Sequence, residues 1–233
     1  MKKRIPMKKL LPFYAVVLIG CIFVAHFGSA AVTAMVETAP IEGRTIMIID
    51  AGHGGIDGGA TSCTGVLESA INLEIALRLQ DLFRFLGYET KMIRSTDTSI
   101  HTQGNTIAAQ KVSDLKERVR IVNETENGLL ISIHQNTYPD EKYSGAQVFY
   151  ANNPVSLRLA QQVQMAFRDT LNPGSKRQCK SSDGIYLMQH IQNPGLLIEC
   201  GFISNPQEEA LLRSGDYQKK LACVIACGII LID

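Results

Sequence analysis

The chain has 233 residues, 45% hydrophobic and 19% charged, with no tryptophan; this length and composition suit one sizeable folded domain plus a short targeting segment and exclude a disordered or low-complexity protein. Five of its 23 basic residues (Lys2, Lys3, Arg4, Lys8 and Lys9) precede the first acid, Glu37, so the 18 that remain face 22 acids. That balance lacks the clustered Lys and Arg of a nucleic-acid surface and excludes nucleic acid as a partner.

The basic start leads into an apolar run over 10–27 and then into small residues, with exit sites after Ala30 and Ala34. Residues 1–34 therefore read as a signal peptide or membrane anchor, and the protein as exported. Leu18-Ile19-Gly20-Cys21 imitates a lipoprotein processing box, but apolar residues continue beyond Cys21. A linker over 35–44 precedes the domain at 45–233. The isoleucine-rich run 45–50, bounded by Gly43 and Gly52, predicts a buried strand. Apolar residues at helical spacing predict a helix over 70–86, with Gly87 as its stop. A strand over 89–94 follows, then a polar surface excursion over 97–110 and a helix over 114–124. Strands are predicted over 129–133 and 146–150, and a helix over 154–171 with Pro154 in its first turn. Strands over 185–188 and 196–200 and a helix over 216–230 complete the chain. The alternation predicts a single-domain α/β sandwich, its central sheet mostly parallel or mixed and flanked by helices. In such sheets ligands gather beyond the carboxyl ends of the strands.

Six cysteines in an exported chain invite a disulfide reading, but none has CxxC spacing and Cys21 lies in the leader. Cys223 and Cys227 are expected on a buried helix face as small hydrophobes.

His53 stands in Asp50-Ala51-Gly52-His53-Gly54-Gly55, directly after the first strand, and His134 in Ser132-Ile133-His134-Gln135-Asn136, after a second apolar strand. Glu68 precedes the first helix at the same predicted edge. Each has a simpler reading alone: a histidine after a strand is commonly a hydrogen-bonded loop residue, and a glutamate at a helix start is favoured by the dipole. The glycines of 52–59 lack the Gly-Lys-Ser/Thr of a phosphate loop. Taken together, two histidines and a glutamate would hold a zinc ion with one position open, as in catalytic rather than structural sites. Such an ion activates water and polarises a carbonyl. Glu199, at the end of Leu196-Leu197-Ile198-Glu199, is a charge in apolar surroundings, suited to accept the proton of the attacking water and return it to a leaving amine. The alternative for Glu199 is a pairing with a buried arginine.

These segments resemble the zinc-dependent N-acetylmuramoyl-L-alanine amidases of bacterial cell-wall metabolism. The resemblance runs from Thr45 to Ile232 and rests on Asp50 to Gly55, Glu68 with Asn72, Thr96-Asp97, Leu115 to Asn123 with Arg118, Ser132 to Asn136, Gly145 to Tyr150, and Glu199 to Asn205 with Glu208. It implies zinc on His53, Glu68 and His134, Glu199 as catalytic carboxylate, and peptidoglycan as substrate, cut between the lactyl group of N-acetylmuramic acid and L-alanine. It also implies substrate contacts at Gln135, Asn136 and Arg177. The last lies in Lys176-Arg177-Gln178-Cys179-Lys180, where the family often has Arg-Gly. The stretch 97–114, with Gly145-Ala146-Gln147 and Ile185-Tyr186-Leu187, is most similar to the spore-cortex branch, whose implied role is removal of stem peptides before muramic-δ-lactam forms. Because the catalytic fold consumes residues 35–233, a protein partner or the membrane anchor is expected to localise the enzyme.

Three other readings compete: a zinc peptidase acting within the stem peptide, a non-catalytic wall-binding regulator, and a cysteine hydrolase using Cys200. Pure binding has no need of Glu199, and Cys200 would point to the opposite face of its strand.

Overall fold

The β-branched run Ile46–Ala51 (β1) forms a strand buried along nearly its whole length, as expected for the inside of a sheet covered on both faces. The computed structural model describes residues 45–230; the expected leader over 1–34 and linker over 35–44 lie outside the described residues. After β1 come helix α1 (Glu68–Phe85), β2 (Glu89–Met92), α2 (Ile107–Asn123), β3 (Gly128–Asn136), β4 (Gln147–Tyr150), α3 (Pro154–Thr170), β5 (Lys180–Ser181), α4 (Tyr186–His190), β6 (Gly195–Phe202), α5 (Pro206–Leu212) and α6 (Gly215–Ile230).

The six strands form one mixed sheet in the order β2-β1-β3-β6-β4-β5. β2, β1, β3 and β6 run parallel, β4 is antiparallel to β6, and β5 is parallel to β4. Alternation divides the core between two faces. Met47, Ile49, Leu129, Ile131, Leu196 and Ile198 pack with α1, α3 and α6. Ile48, Leu130 and Leu197 pack with Val122 of α2 and Leu187 and Met188 of α4. The expected α/β sandwich is thus a sheet between two helical layers. Because β1, β3 and β6 are parallel neighbours, their carboxyl ends share one edge.

Four expectations fail. Helix α2 starts at Ile107, seven residues before the expected Asp114: Thr106 caps it by accepting from Ala109 N (3.2 Å), and its first turns leave Ile107 and Val112 exposed, which blurs the apolar periodicity. The expected strand over 185–188 is instead the short helix α4. Gly184 turns the chain with φ +88°, and Leu187 and Met188 are buried by helical winding while the edge strand falls earlier, at Lys180–Ser181. Helix α5 was not expected; Asn205 caps it through Gln207 N and Glu208 N, with Pro206 leading its first turn. Cys223 and Cys227 are exposed, because α6 buries Leu221, Ala222, Ile225, Ala226 and Ile229 and these cysteines fall on its other side. Among the described residues the cysteines are free, and no helix is long and apolar enough to cross a membrane.

Candidate active site

The loop after β1 is short and strained. His53 itself has φ +61° and Gly54 and Gly55 follow with positive φ, while Gly54 and Asp57 exchange backbone hydrogen bonds of 2.7 and 3.1 Å. A left-handed conformation at a non-glycine residue costs about 1 kcal/mol or more and persists only where the surroundings hold it. Arg118 provides one restraint, donating from its guanidinium to His53 O (2.8 Å). Asp57 provides another, with Oδ2 2.8 Å from His53 Nδ1, and is itself paired with Lys111 of α2 at 2.7 Å. His53 Nε2 is thereby turned toward Glu68, 3.3 Å from Oε2.

Glu68 opens α1 and is only 4% exposed. Its carboxylate accepts from Ala60 N (3.0 Å), Asn72 Nδ2 (3.2 Å) and Gln135 N (3.1 Å). His134, inside β3 rather than after it, brings Nδ1 to 3.0 Å of Glu68 Oε1. The two imidazole rings meet edge-on, centroids 4.9 Å apart. One ligand atom each from His53, Glu68 and His134 lies within 4.8 Å of the others. A Cβ at Gly52 would stand 2.2 Å from His134 Nε2, and one at Gly59 would stand 2.6 Å from Glu68 Oε2, so only glycine leaves room for this convergence.

Charge follows geometry. Burial alone would lower the His53 pKa, but hydrogen bonds and charge from Glu68 and Asp57 outweigh it and raise it to about 9. Burial would raise Glu68, yet the two histidines hold its carboxyl far below the usual carboxylate range. Asp57 is lowered to about 2, its burial overcome by Lys111 and His53. Two half-buried imidazoles and a buried carboxylate, with His53 braced by Asp57 and Glu68 by Ala60, Asn72 and Gln135, match the donor set that borderline divalent cations such as zinc prefer.

Glu199 is the register partner of His134 across β3 and β6. Among the described residues no arginine pairs with it, and its Oε2 is buried without a hydrogen-bond partner. Burial lifts its pKa to about 7, with His134 pulling it down and Glu68 pushing it up. Its neighbour Cys200 is buried in the core on the opposite face, its thiol near Ile198 O (3.8 Å) and held in the protonated form by burial, so the cysteine-hydrolase reading has no exposed nucleophile.

Asn136 ends β3 opposite Phe202, half-buried at the same edge. Gln135 is buried and points inward, donating from Nε2 to Asn72 Oδ1 at 3.1 Å; this position braces Glu68 rather than facing a substrate. Arg177 lies further along the edge, its guanidinium 5.1 Å above the Phe202 ring. The sequence marks Asp50, Arg118 and Ser132 only as positions in shared segments and assigns them no role in the supporting frame. Buried Arg118 links Asp50 and Asp114, and Ser132 Oγ donates to Asp50 Oδ2 (2.7 Å). Arg94 donates to the carbonyls of Ala51, Gly52 and Ser69. Charged residues inside apolar periodicity were the available signal.

Residues 47–230 match the model of the family described as N-acetylmuramoyl-L-alanine amidase (Amidase_3). The chain belongs to this amidase family. It is 40% identical over 193 residues to the germination-specific N-acetylmuramoyl-L-alanine amidase of Bacillus subtilis, spanning 82% of this chain and 80% of that protein. Among solved structures, the CwlD amidase from Clostridioides difficile, in complex with the GerS lipoprotein, superposes with a TM-score of 0.76 at 36% identity, covering 79% of this chain and 96% of that one. The AmiC2 amidase of Nostoc punctiforme superposes with a TM-score of 0.69 at 25% identity, covering 80% and 96%. The amidase hydrolyses the bond between N-acetylmuramic acid and L-alanine, which decides against a peptidase or a non-catalytic regulator. Its substrate is peptidoglycan and its place of action extracytoplasmic.

Proposed function

We propose that this amidase is a zinc enzyme in which His53, Glu68 and His134 hold the ion and Glu199 moves the proton. The observation that carries the reading is the convergence of three donors beside a buried carboxylate oxygen that has no hydrogen-bond partner among the described residues. When bound, the ion would supply a nucleophilic water and an electrophile for the amide carbonyl. Glu199 takes a proton from the attacking water and delivers it to the L-alanine nitrogen as the C–N bond breaks, a double duty suited to a pKa near neutrality. Asp57 fixes the His53 tautomer so that Nε2 faces inward, and Asn72 and Gln135 keep Glu68 from rotating. Asn136 at the end of β3 and Arg177 in the loop before β5 contact substrate.

The setting proposed is the spore cortex, where removing stem peptides exposes muramic acid for δ-lactam formation. The likeness to a germination-specific amidase and to CwlD supports it. Residues 1–34 carry the domain out of the cytoplasm as a signal peptide or anchor it in the membrane. The place of action is the cell wall or the forespore intermembrane space, and a lipoprotein partner comparable to the one bound by CwlD localises or activates the enzyme.

Chelator treatment followed by zinc addition tests the metal, with products read by mass spectrometry of digested peptidoglycan. Loss and recovery of free lactyl carboxyls is expected; undiminished release after removal of all bound metal would refute the reading.

A further inference from the structure

Beyond Glu199 the same sheet edge continues into a cleft of about 520 Å³, lined by Gln147, Lys176, Arg177, Gln178 and Lys180 among others. Its position relative to the chemistry is set by register. Gln147 and Glu199 are Cα partners across antiparallel β4 and β6, and directly opposed residues send their side chains to the same face, with Cβ atoms about 5 Å apart. The cleft therefore begins one side chain away from Glu199.

Its lining is cationic and uncommitted. Among the described residues Lys176, Arg177 and Lys180 form no ion pair. Arg177 is held in place rather than free, with Nε donating to Ser144 O (3.1 Å) and the guanidinium plane over Phe202, which leaves its outer nitrogens for a ligand. The acid that feels the Arg177 charge, Glu208, already accepts from Gly145 N and Phe202 N, at 2.8 Å each. Gln147 is buried with Oε1 unpartnered, while its Nε2 donates to Gln178 O (2.6 Å). A pocket with three unpaired cations and an orphaned acceptor calls for an anion that also carries an N–H donor.

We propose that this cleft is the peptide subsite of the amidase, in which Lys176, Arg177 and Lys180 bind a carboxylate of the stem peptide and Gln147 Oε1 accepts from a peptide N–H. The inference rests on the amidase reading of the neighbouring site. Substrate chemistry chooses the peptide over the glycan. In the scissile linkage the carboxyl of muramic acid is consumed in the amide, so the glycan side brings no free acid there, whereas a peptide ends in one. Two exposed lysines forming solvent-screened pairs are worth about a fivefold preference together.

The test compares two soluble N-acetylmuramoyl-peptides differing only in whether the peptide carboxyls are free or amidated, using the full chain and its Lys176→Gln/Lys180→Gln variant. The wild type is expected to favour the free-acid substrate about fivefold in kcat/KM, through KM, with the preference shrinking as salt is raised; the variant is expected to lose it. Binding of the same two compounds to Glu199→Gln, with and without the lysine substitutions, gives a readout independent of hydrolysis. A free-acid preference in binding that the lysine changes abolish supports the subsite even if the proposed role of Glu199 fails. Equal KM for the two substrates in the wild type, or an undiminished preference in the lysine variant, would overturn the proposal.

Discussion

Glu199 has a buried oxygen without a partner among the described residues, and such a group destabilises a fold unless something else uses it. Its pKa is raised to about 7 from an ordinary 4.5, so between those pH values the folded chain keeps a proton that the unfolded chain has lost. Stability of the metal-free protein therefore falls as pH rises through this window. Glu199→Gln removes that slope: at pH 8 the variant is expected to be more stable in urea unfolding by on the order of 2 kcal/mol, with the gain vanishing below about pH 4.5. Indistinguishable unfolding curves at pH 8 would count against this account of its burial. Turnover by the same variant is expected to fall by a factor of about 10² to 10⁴ while zinc affinity stays near wild type. Asp57→Asn tests the support behind His53 and is expected to weaken zinc about 10- to 100-fold in competition with a chromogenic chelator. Unchanged affinity would show that Asp57 does not set the imidazole.

At the scale of elements, the site depends on the exit of β1, the start of α1 and the ends of β3 and β6. Gly52→Ala would push a methyl group into the His134 ring; it is expected to abolish zinc binding and lower the melting temperature, and a variant with normal zinc affinity would contradict the proposed packing. Thr106→Ala removes the cap of α2 and is expected to cost about 1 kcal/mol of stability, read by chemical denaturation. That helix also shows where sequence reading stops. Central strands such as β1 and β3 announce themselves because both faces are apolar. Helix α2 turns one flank to solvent and buries polar residues, Asp114 and Arg118, so its apolar period is weak and begins only after its first turns. For 185–188 the local run of apolar residues was right about burial and wrong about winding, since four residues do not distinguish a strand from a helical turn.

For the whole molecule, topology turns distant motifs into one site. Parallel pairing of β1, β3 and β6 puts their carboxyl ends on a common edge, and the register of His134 with Glu199 sets Glu199 beside the proposed ligands. The proposed ligands and Glu199 were legible because each is a polar residue at an apolar strand end or a helix start. The brace of Asp50, Arg118, Asp114 and Ser132 was not, because its members acquire meaning only when 82 residues of separation between Asp50 and Ser132 collapse to a hydrogen bond. Gln135 illustrates the same limit: adjacent to His134 in sequence, it leaves the strand on the other face and supports Glu68 instead. Diffraction from crystals of the zinc-loaded protein, recorded at the zinc absorption edge, is the most direct check on the central claim. One anomalous peak is predicted, bonded to His53 Nε2, a Glu68 oxygen and His134 Nδ1; a peak at any other position, or none between these three side chains, would contradict it.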